Sequence, residues 1–146
     1  MSVAIRPLAA ADRAAWSPLW DGYTEFYGVD LAPEVTDETW RRLLDPDVDV
    51  HGFCAIDGGG ALVGFVHYLF HPVTWSITPR CYLEDLYVAP DIRGGGIGAR
   101  LIKAVYAAAD VRQADQVYWY TDETNAAARR LYDRIGQLTP FIRYRR

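Results

Sequence analysis

A cluster of four glycines in five positions, at residues 94–98, lies between a predicted strand and a predicted helix. Glycine places no Cβ between the backbone and a ligand and allows a tight turn. The start of a helix offers unpaired N–H groups and the positive end of its dipole, which together bind phosphate. Arg93 and Arg100 can add charge at the rim. The cluster predicts a phosphate site, and the alternative is a glycine-rich turn that binds no ligand.

Two common phosphate motifs fit the glycine cluster poorly. The string matches Gly-x-Gly-x-x-Ala from Gly94, but a dinucleotide site also wants an acidic residue about 20 positions onward. Those positions hold Val, Tyr, Trp and Tyr at 117–120. The Gly-Lys-Ser/Thr ending of a nucleotide P-loop is missing. A nicotinamide-dependent oxidoreductase is therefore disfavoured.

Glu84 and a pair of histidines are further candidates for chemistry. Glu84 lies mid-strand between Tyr82 and Leu86, and a carboxylate on an apolar face is costly unless it is used or paired. It is either a base whose pKa is raised by burial or a structural partner in a salt bridge. Asp85 is expected on the opposite face in a structural role. His67 and His71 share a strand face without an evident third ligand, so no metal site is predicted.

The predicted first helices and the loop before residue 81 carry both aromatic and acidic residues. As a group they could attract and enclose a cation through steering and cation–π contact. The candidate walls of an acceptor pocket are Trp20, Tyr23, Tyr27 and Trp75, and the candidate attractors are Asp21, Glu25, Asp30 and Glu34. Each residue taken singly could equally belong to the core or to the solvated surface.

The elements that must position these residues follow from hydrophobic periodicity and turn signals. The predicted order is β-α-α-β-β-β-α-β-α-β, a single domain over residues 1–146 with a mixed sheet of the α/β or α+β class. The first helix is expected to kink or restart at Ser17 because Pro18 lies inside it. The last strand is expected over Phe141 to Arg145.

Composition and charge exclude several classes of protein. The chain has 146 residues, 51% hydrophobic and 23% charged, which is typical of one globular domain. Its net charge of −4 disfavours a general nucleic-acid binder. Residues 1–92 carry −9 (14 acidic, 5 basic) and residues 93–146 carry +5 (5 acidic, 10 basic), which suits an anion bound by the second part. No membrane span, no secretory signal and no disulfide framework is evident, so we expect a cytoplasmic protein.

The strand and loop around the glycine cluster resemble a known family. Residues 82–90 read Tyr-Leu-Glu-Asp-Leu-Tyr-Val-Ala-Pro and are followed by Arg93-x-x-Gly96-x-Gly98. This run is similar to the acetyl-CoA motif of the GNAT N-acetyltransferases, nearest to the diamine type and the small histone and polyamine type. Ile5-Arg6-Pro7 with Asp12, and Asn125 followed by Leu131-Tyr132 and Gly136, fit the same family. The resemblance covers essentially the whole chain.

The resemblance implies a fold, a cofactor and roles for individual residues. The sheet should be mostly antiparallel and splayed where acetyl-CoA binds. The backbone of Leu86, Tyr87 and Val88 would pair with the pantetheine arm, and Asn125 would hydrogen-bond it. The pyrophosphate would lie on the loop formed by Arg93, Gly94, Gly95, Gly96, Ile97, Gly98 and Ala99.

The same resemblance implies transfer of an acetyl group to a primary amine, leaving CoA as product. Tyr132 would be the general acid for the CoA thiolate, and Glu84 would contact the amine and help to remove its proton, directly or through water. The acceptor would be a polyamine, another small cationic amine or a lysine. The alternative is a non-catalytic acyl-CoA-binding module of the same fold. The terminal strand would leave an open edge, so a homodimer that pairs or exchanges these strands is expected.

Overall fold

The computed structural model describes residues 2–146 and builds one sheet with helices on both faces. The elements are β1 (Ala4–Pro7), α1 (Arg13–Phe26), α2 (Pro33–Leu44), β2 (Val50–Ile56), β3 (Leu62–His71), β4 (Arg80–Val88), α3 (Ile97–Val111), β5 (Val117–Tyr118) and α4 (Ala126–Ile135). Short 3₁₀ turns precede α1 and follow β4. The predicted α/β class with a mixed sheet is confirmed.

The five strands lie in sequence order, and β1 to β4 pair antiparallel. β5 runs parallel to β4 and pairs with it only through Cys81–Val117 and Tyr82–Tyr118. Within the described residues, β4 has no strand beside it on this side from Leu83 to Val88. The sheet is thus splayed, and a row of β4 backbone groups is left available.

Two hydrophobic cores fill the spaces on either side of the sheet. One lies beneath α3 and includes Phe70, Leu101, Ile102 and Val105, with side chains of α4 packed against it. The other lies beneath α1 and α2 and is built on Trp16, Trp20, Trp40 and Phe65. These stacked and tilted rings hold α1 against the sheet.

Two local predictions differ from the structure. Helix α1 does not restart at Ser17 but continues through Pro18, because the burial of Trp16 and Trp20 on one face outweighs the backbone hydrogen bond that proline cannot donate. The predicted last strand over Phe141 to Arg145 is wrong for this single chain: residues 137–146 form neither helix nor strand and are exposed. Their alternating pattern would favour a strand, but no neighbouring strand is in place to pair with them.

Among residues 2–146, none of the helices is both long enough and apolar enough to cross a membrane. In the same range no group of three or more His, Cys, Asp or Glu side chains could hold a metal ion. His71 instead hydrogen-bonds the Pro72 carbonyl and the Tyr118 hydroxyl.

Candidate active site

A cleft of about 490 Å³ opens where the sheet splays, between β4, the glycine loop, α1 and α4. Most of the cofactor-site residues predicted from the sequence line it, namely Leu86, Tyr87, Val88, Arg93, Gly94, Gly96, Ile97, Gly98, Ala99 and Asn125. Tyr132 and the aromatic side chains of Tyr23 and Tyr27 line the same cleft. Gly95 is not among the lining residues.

The glycine loop leads directly into helix α3. Gly94 and Gly96 have φ of +89° and +81°, in the left-handed region that side chains disfavour. A Cβ placed on either glycine would meet nothing within 4 Å, so both backbones face open space in the cleft. Gly96 is the residue immediately before α3, whose first N–H groups have no partner within the helix. The loop can therefore hold a pyrophosphate.

The two arginines beside the loop behave differently. The Arg93 side chain folds back, donating from Nε to the Val88 carbonyl at 2.8 Å with its guanidinium 5.1 Å from the Tyr87 ring. Arg100 donates to the Val3 carbonyl, so its charge is directed toward β1 rather than the rim of the cleft. The expectation that Arg100 adds charge at the rim is thus not met. Arg130 and Arg134 of α4 line the cleft instead, and the sequence analysis missed them.

Asn125 begins helix α4. Its side-chain Oδ1 accepts a hydrogen bond from the Ala128 N–H at 3.2 Å, which caps the helix. Because the oxygen is used in this way, the amide nitrogen is the atom that would donate to a bound ligand.

Tyr132 lies on the inner face of α4, next to Trp119 at 5.5 Å between ring centroids. Burial raises its pKa to about 12, with a smaller contribution from Tyr27. The phenol is therefore protonated at neutral pH and can act as a proton donor within the cleft.

Glu84 occupies a β-bulge in β4. His67 pairs with Asp85 and the next residue, Tyr68, pairs with Leu83, so Glu84 has no residue opposite it. Glu84 is an exposed residue and is not among the residues that line the cleft. Partial burial, and then the nearby Asp85 carboxylate, raise the pKa of Glu84. Burial is the main cause that raises the pKa values of Tyr23 and Tyr82, and the Glu84 charge adds a smaller contribution to each.

The four predicted acceptor-wall residues do not lie together. Tyr23 and Tyr27 line the cleft and pack edge to face at 5.0 Å. Trp20 is buried in the core under α1, where its Nε1 donates to Thr36 Oγ1. Trp75 is 92% exposed in the loop between β3 and β4 and does not line the cleft. The path of this loop depends on how β3 pairs with β4, which residue types alone do not reveal.

A buried chain of hydrogen bonds ends at Tyr23, and the sequence analysis did not foresee it. Trp16 Nε1 donates to His67 Nε2 at 3.1 Å. His67 Nδ1 lies 2.9 Å from Asp85 Oδ2, and the Tyr23 hydroxyl donates to Asp85 Oδ1 at 2.7 Å. Asp85 is expected in a structural role, and its hydrogen bonds to His67 and Tyr23 give it one: the bulge at Glu84 inserts one residue, and the Asp85 side chain meets Tyr23 of α1.

Comparison with known proteins gives one consistent family. The model of the acetyltransferase (GNAT) family matches residues 16–137. D-amino-acid N-acetyltransferase HPA3 of Saccharomyces cerevisiae is 36% identical over 145 residues, which cover 99% of this chain and 90% of the yeast protein. Thialysine N-epsilon-acetyltransferase of Bos taurus is 37% identical over 78 residues, 53% of this chain and 45% of the bovine protein.

Solved structures share the fold over nearly the whole chain. A ribosomal-protein-alanine N-acetyltransferase from Brucella melitensis biovar Abortus 2308 has a TM-score of 0.82 at 25% identity, covering 98% of this chain and 97% of its own. AAC(6')-Iy, in complex with a bisubstrate analogue of CoA, has a TM-score of 0.86 at 18% identity, with 100% and 98% covered. Because the identity to AAC(6')-Iy is only 18%, this similarity shows a shared fold and nothing more.

Proposed function

Because this chain belongs to the GNAT acetyltransferase family, we propose that it transfers an acetyl group to the primary amine of a cationic acceptor, either a small amine or a lysine. It is an N-acetyltransferase that uses acetyl-CoA, as the family does. The finer assignment rests on one observation: the glycine loop, the open edge of β4 and the protonated Tyr132 all face a single cleft.

The residues of the cleft fit acetyl-CoA, which supplies the acetyl group as a reactive thioester. Gly94 and Gly96 have left-handed backbones and no side chain. They therefore leave open the space that a pyrophosphate can occupy and that a side chain would fill. The backbone of residues 86–88 can pair with the amides of the pantetheine arm in the manner of an added strand. The Asn125 amide nitrogen can donate to the same arm.

The proton chemistry is assigned to two side chains. Tyr132 donates its proton to the sulfur of the departing CoA, since the pKa of about 12 keeps the phenol protonated until the thiolate develops. Glu84 removes a proton from the acceptor ammonium, directly or through a water, and its raised pKa makes it a stronger base than an ordinary glutamate.

The acceptor is proposed to enter beside Tyr23 and Tyr27, whose rings can contact a cation. Amines appear in the names of relatives, as D-amino acids for the yeast protein and thialysine for the bovine one. A lysine side chain presents the same ammonium group, so small amines and lysine peptides are the two acceptors to compare.

A panel of acceptors tests this proposal. Release of CoA thiol would be followed with D- and L-amino acids, thialysine, spermidine, an aminoglycoside and a lysine peptide, and products would be identified by mass spectrometry. We expect release that depends on the amine and a product acetylated on nitrogen. Binding of CoA without thiol release on any amine would favour the non-catalytic acyl-CoA-binding module.

We further propose that the protein forms a homodimer through its C-terminal segment. Leu138, Phe141, Ile142 and Tyr144 are each at least 74% exposed in the single chain. Apolar side chains and unpaired backbone groups of this kind are usually covered in solution. A second copy can cover them by pairing or exchanging the segments about a two-fold axis.

A cytoplasmic location also remains a prediction, supported by two free, buried cysteines, Cys54 and Cys81.

A further inference from the structure

The reaction removes two protons from the acceptor nitrogen, and the proposed function assigns an acceptor for only one of them. An ammonium carries three hydrogens, whereas the amide formed with a primary amine carries one. In the overall reaction, one of the two protons lost is accounted for by the thiol proton of CoA, and the other is released to solvent. Glu84 can take the first proton before attack, so a second group has to take the proton that leaves as the nitrogen–carbon bond forms.

The buried hydrogen-bond chain behind Tyr23 has a fixed direction. Trp16 Nε1 can only donate, so His67 Nε2 must accept. The ring hydrogen of His67 therefore lies on Nδ1 and is donated to Asp85 Oδ2. Both Trp16 and His67 are almost fully buried, at 0% and 2% exposure, so these bonds are shielded from bulk solvent. The imidazole is held as the neutral Nδ1–H tautomer.

That direction sets the polarity of the Tyr23 hydroxyl. Asp85 accepts from His67 at one oxygen and from Tyr23 at the other, so the Tyr23 hydrogen points away from the cleft toward Asp85. The lone pairs of the phenol oxygen are left to accept a hydrogen bond from a group in the cleft, which Tyr23 lines. A nitrogen carrying a hydrogen fits this site, and a carbonyl oxygen does not.

We propose that Tyr23 is a second catalytic residue, which accepts the proton lost from the acceptor nitrogen during attack, with Asp85 and His67 as its positioning residues. The inference rests on the proposed function above. As the nitrogen–carbon bond forms, the electrons of one N–H bond remain on nitrogen and its proton moves to Tyr23 Oη. The original Tyr23 proton moves to Asp85 Oδ1. The positive charge on nitrogen and the negative charge on Asp85 are both neutralised, and solvent later takes the proton.

Several other titratable groups surround this site. Glu84 on β4 and Tyr27, just after α1, interact electrostatically with Tyr23, and Asp122 and Tyr132 interact with Tyr27. His67 on β3 contacts Asp85, the hydrogen-bond partner of Tyr23. Glu84 occupies the bulge in β4 and Asp85 follows it in the chain, so two carboxylates are available for the two protons.

Two variants test the proposal with little change in shape. Tyr23→Phe removes the proton-accepting oxygen. In Asp85→Asn the amide can turn so that its oxygen accepts from His67 and its nitrogen donates to Tyr23, which keeps the chain satisfied but leaves the Tyr23 hydrogen pointing into the cleft. We expect each to lower kcat/KM for the amine by about 10²-fold, at the low end for loss of one acid–base group. The KM for acetyl-CoA should stay within about two-fold, because Tyr23→Phe keeps the ring that packs against Tyr87 and Asp85 is not a predicted cofactor residue.

Three further readouts separate proton transfer from a structural defect. The double variant should be no slower than either single variant, because the two residues act in one step. The loss should be smaller at about pH 9 than at about pH 7, since hydroxide can then take the second proton. Nitrogen-15 shifts should place the His67 hydrogen on Nδ1 in the parent. Asp115→Asn, at an exposed ion pair with Arg80, is the matched control and should keep parental rates.

The outcomes distinguish this inference from the proposed function. A parent that acetylates no amine contradicts both. An active parent that loses rate with Glu84→Gln but not with Tyr23→Phe supports the proposed function and contradicts this inference. Losses that multiply in the double variant, that are equal at both pH values, or that accompany an Nε2–H tautomer of His67 also contradict it.

Discussion

The Tyr132 phenol is the single group on which the proposed chemistry depends most directly. Tyr132→Phe keeps the ring packed against Trp119 and removes only the proton donor. We expect turnover to fall by about 10²–10⁴-fold, with the affinity for CoA nearly unchanged. Tyr106→Phe is a matched control, because the Tyr106 hydroxyl donates to the Ile135 carbonyl away from the cleft. A Tyr132→Phe variant with the parental rate would contradict the general-acid role.

Glu84 determines the acid side of the pH–rate profile if it is the base. Only the carboxylate form can accept a proton, and the pKa of Glu84 is raised above that of an ordinary glutamate. Activity should therefore be complete above this pKa and fall as the pH decreases through it. Glu84→Gln should remove that limb and lower the rate at neutral pH. Glu38→Gln, at exposed ion pairs on α2, is the control, and an identical limb in Glu84→Gln would exclude Glu84 as its source.

At the scale of elements, the turn into α3 is predicted to bind the pyrophosphate of CoA. Gly96→Asn and Gly96→Asp impose similar shapes and similar strain at a φ of +81°, because both residue types tolerate the left-handed region better than most. Only Asp adds a negative charge beside the phosphates. We expect Asp to weaken CoA binding, measured by calorimetry, much more than Asn does. Equal affinities for the two variants would show that the phosphates bind elsewhere.

The connection from β1 to α1 is held by an ion pair whose carboxylate is nearly buried. Arg6 donates twice to Asp12, at 2.8 and 3.0 Å, and the Ala9 N–H donates to the same carboxylate at 2.7 Å. These hydrogen bonds lower the pKa of Asp12, and the bond from Arg6 contributes most. The lowered pKa stabilises the fold above the ordinary Asp pKa of about 3.9, and this stabilisation is lost as the pH falls through the lower native value.

Asp12→Asn should therefore lower the free energy of unfolding by about 1–3 kcal/mol at neutral pH. The difference from the parent should shrink in acid. Urea denaturation of the parent and the variant, at neutral pH and in acid, measures this difference in the free energy of unfolding. Asp37→Asn breaks an exposed pair with Arg13 and should cost only about 0–1 kcal/mol. Equal losses for the two variants would contradict the argument that burial strengthens the Arg6–Asp12 pair.

At the scale of the whole molecule, the C-terminal segment is expected to control assembly. The Arg143 guanidinium lies 5.5 Å from the Tyr120 ring, but the segment is otherwise uncovered. Light scattering on the full chain and on a chain truncated after Pro140 tests this. We expect a dimer for the first and a monomer for the second, with a far-ultraviolet spectrum showing that the truncated chain is folded. A full chain that is monomeric at micromolar concentration with CoA present would contradict the homodimer.

The sequence by itself determined what depends on neighbouring residues. The glycine loop, the strand before it and the helix after it follow from turn chemistry and periodicity, so most of the predicted cofactor residues lie in one cleft. The order of elements from β1 to α4 follows in the same way. Family membership could be inferred from the same local motif, because the motif consists of these adjoining pieces.

Only the tertiary structure decided what depends on register and on distant contacts. Glu84 forms a bulge in β4, which the period of two cannot predict, and the Asp85 side chain meets Tyr23 of α1. His67 acquires its role from Trp16, 51 positions away, and Trp20 enters the core rather than the cleft. The strand predicted at the C-terminus does not form, because a strand requires a partner as well as a pattern.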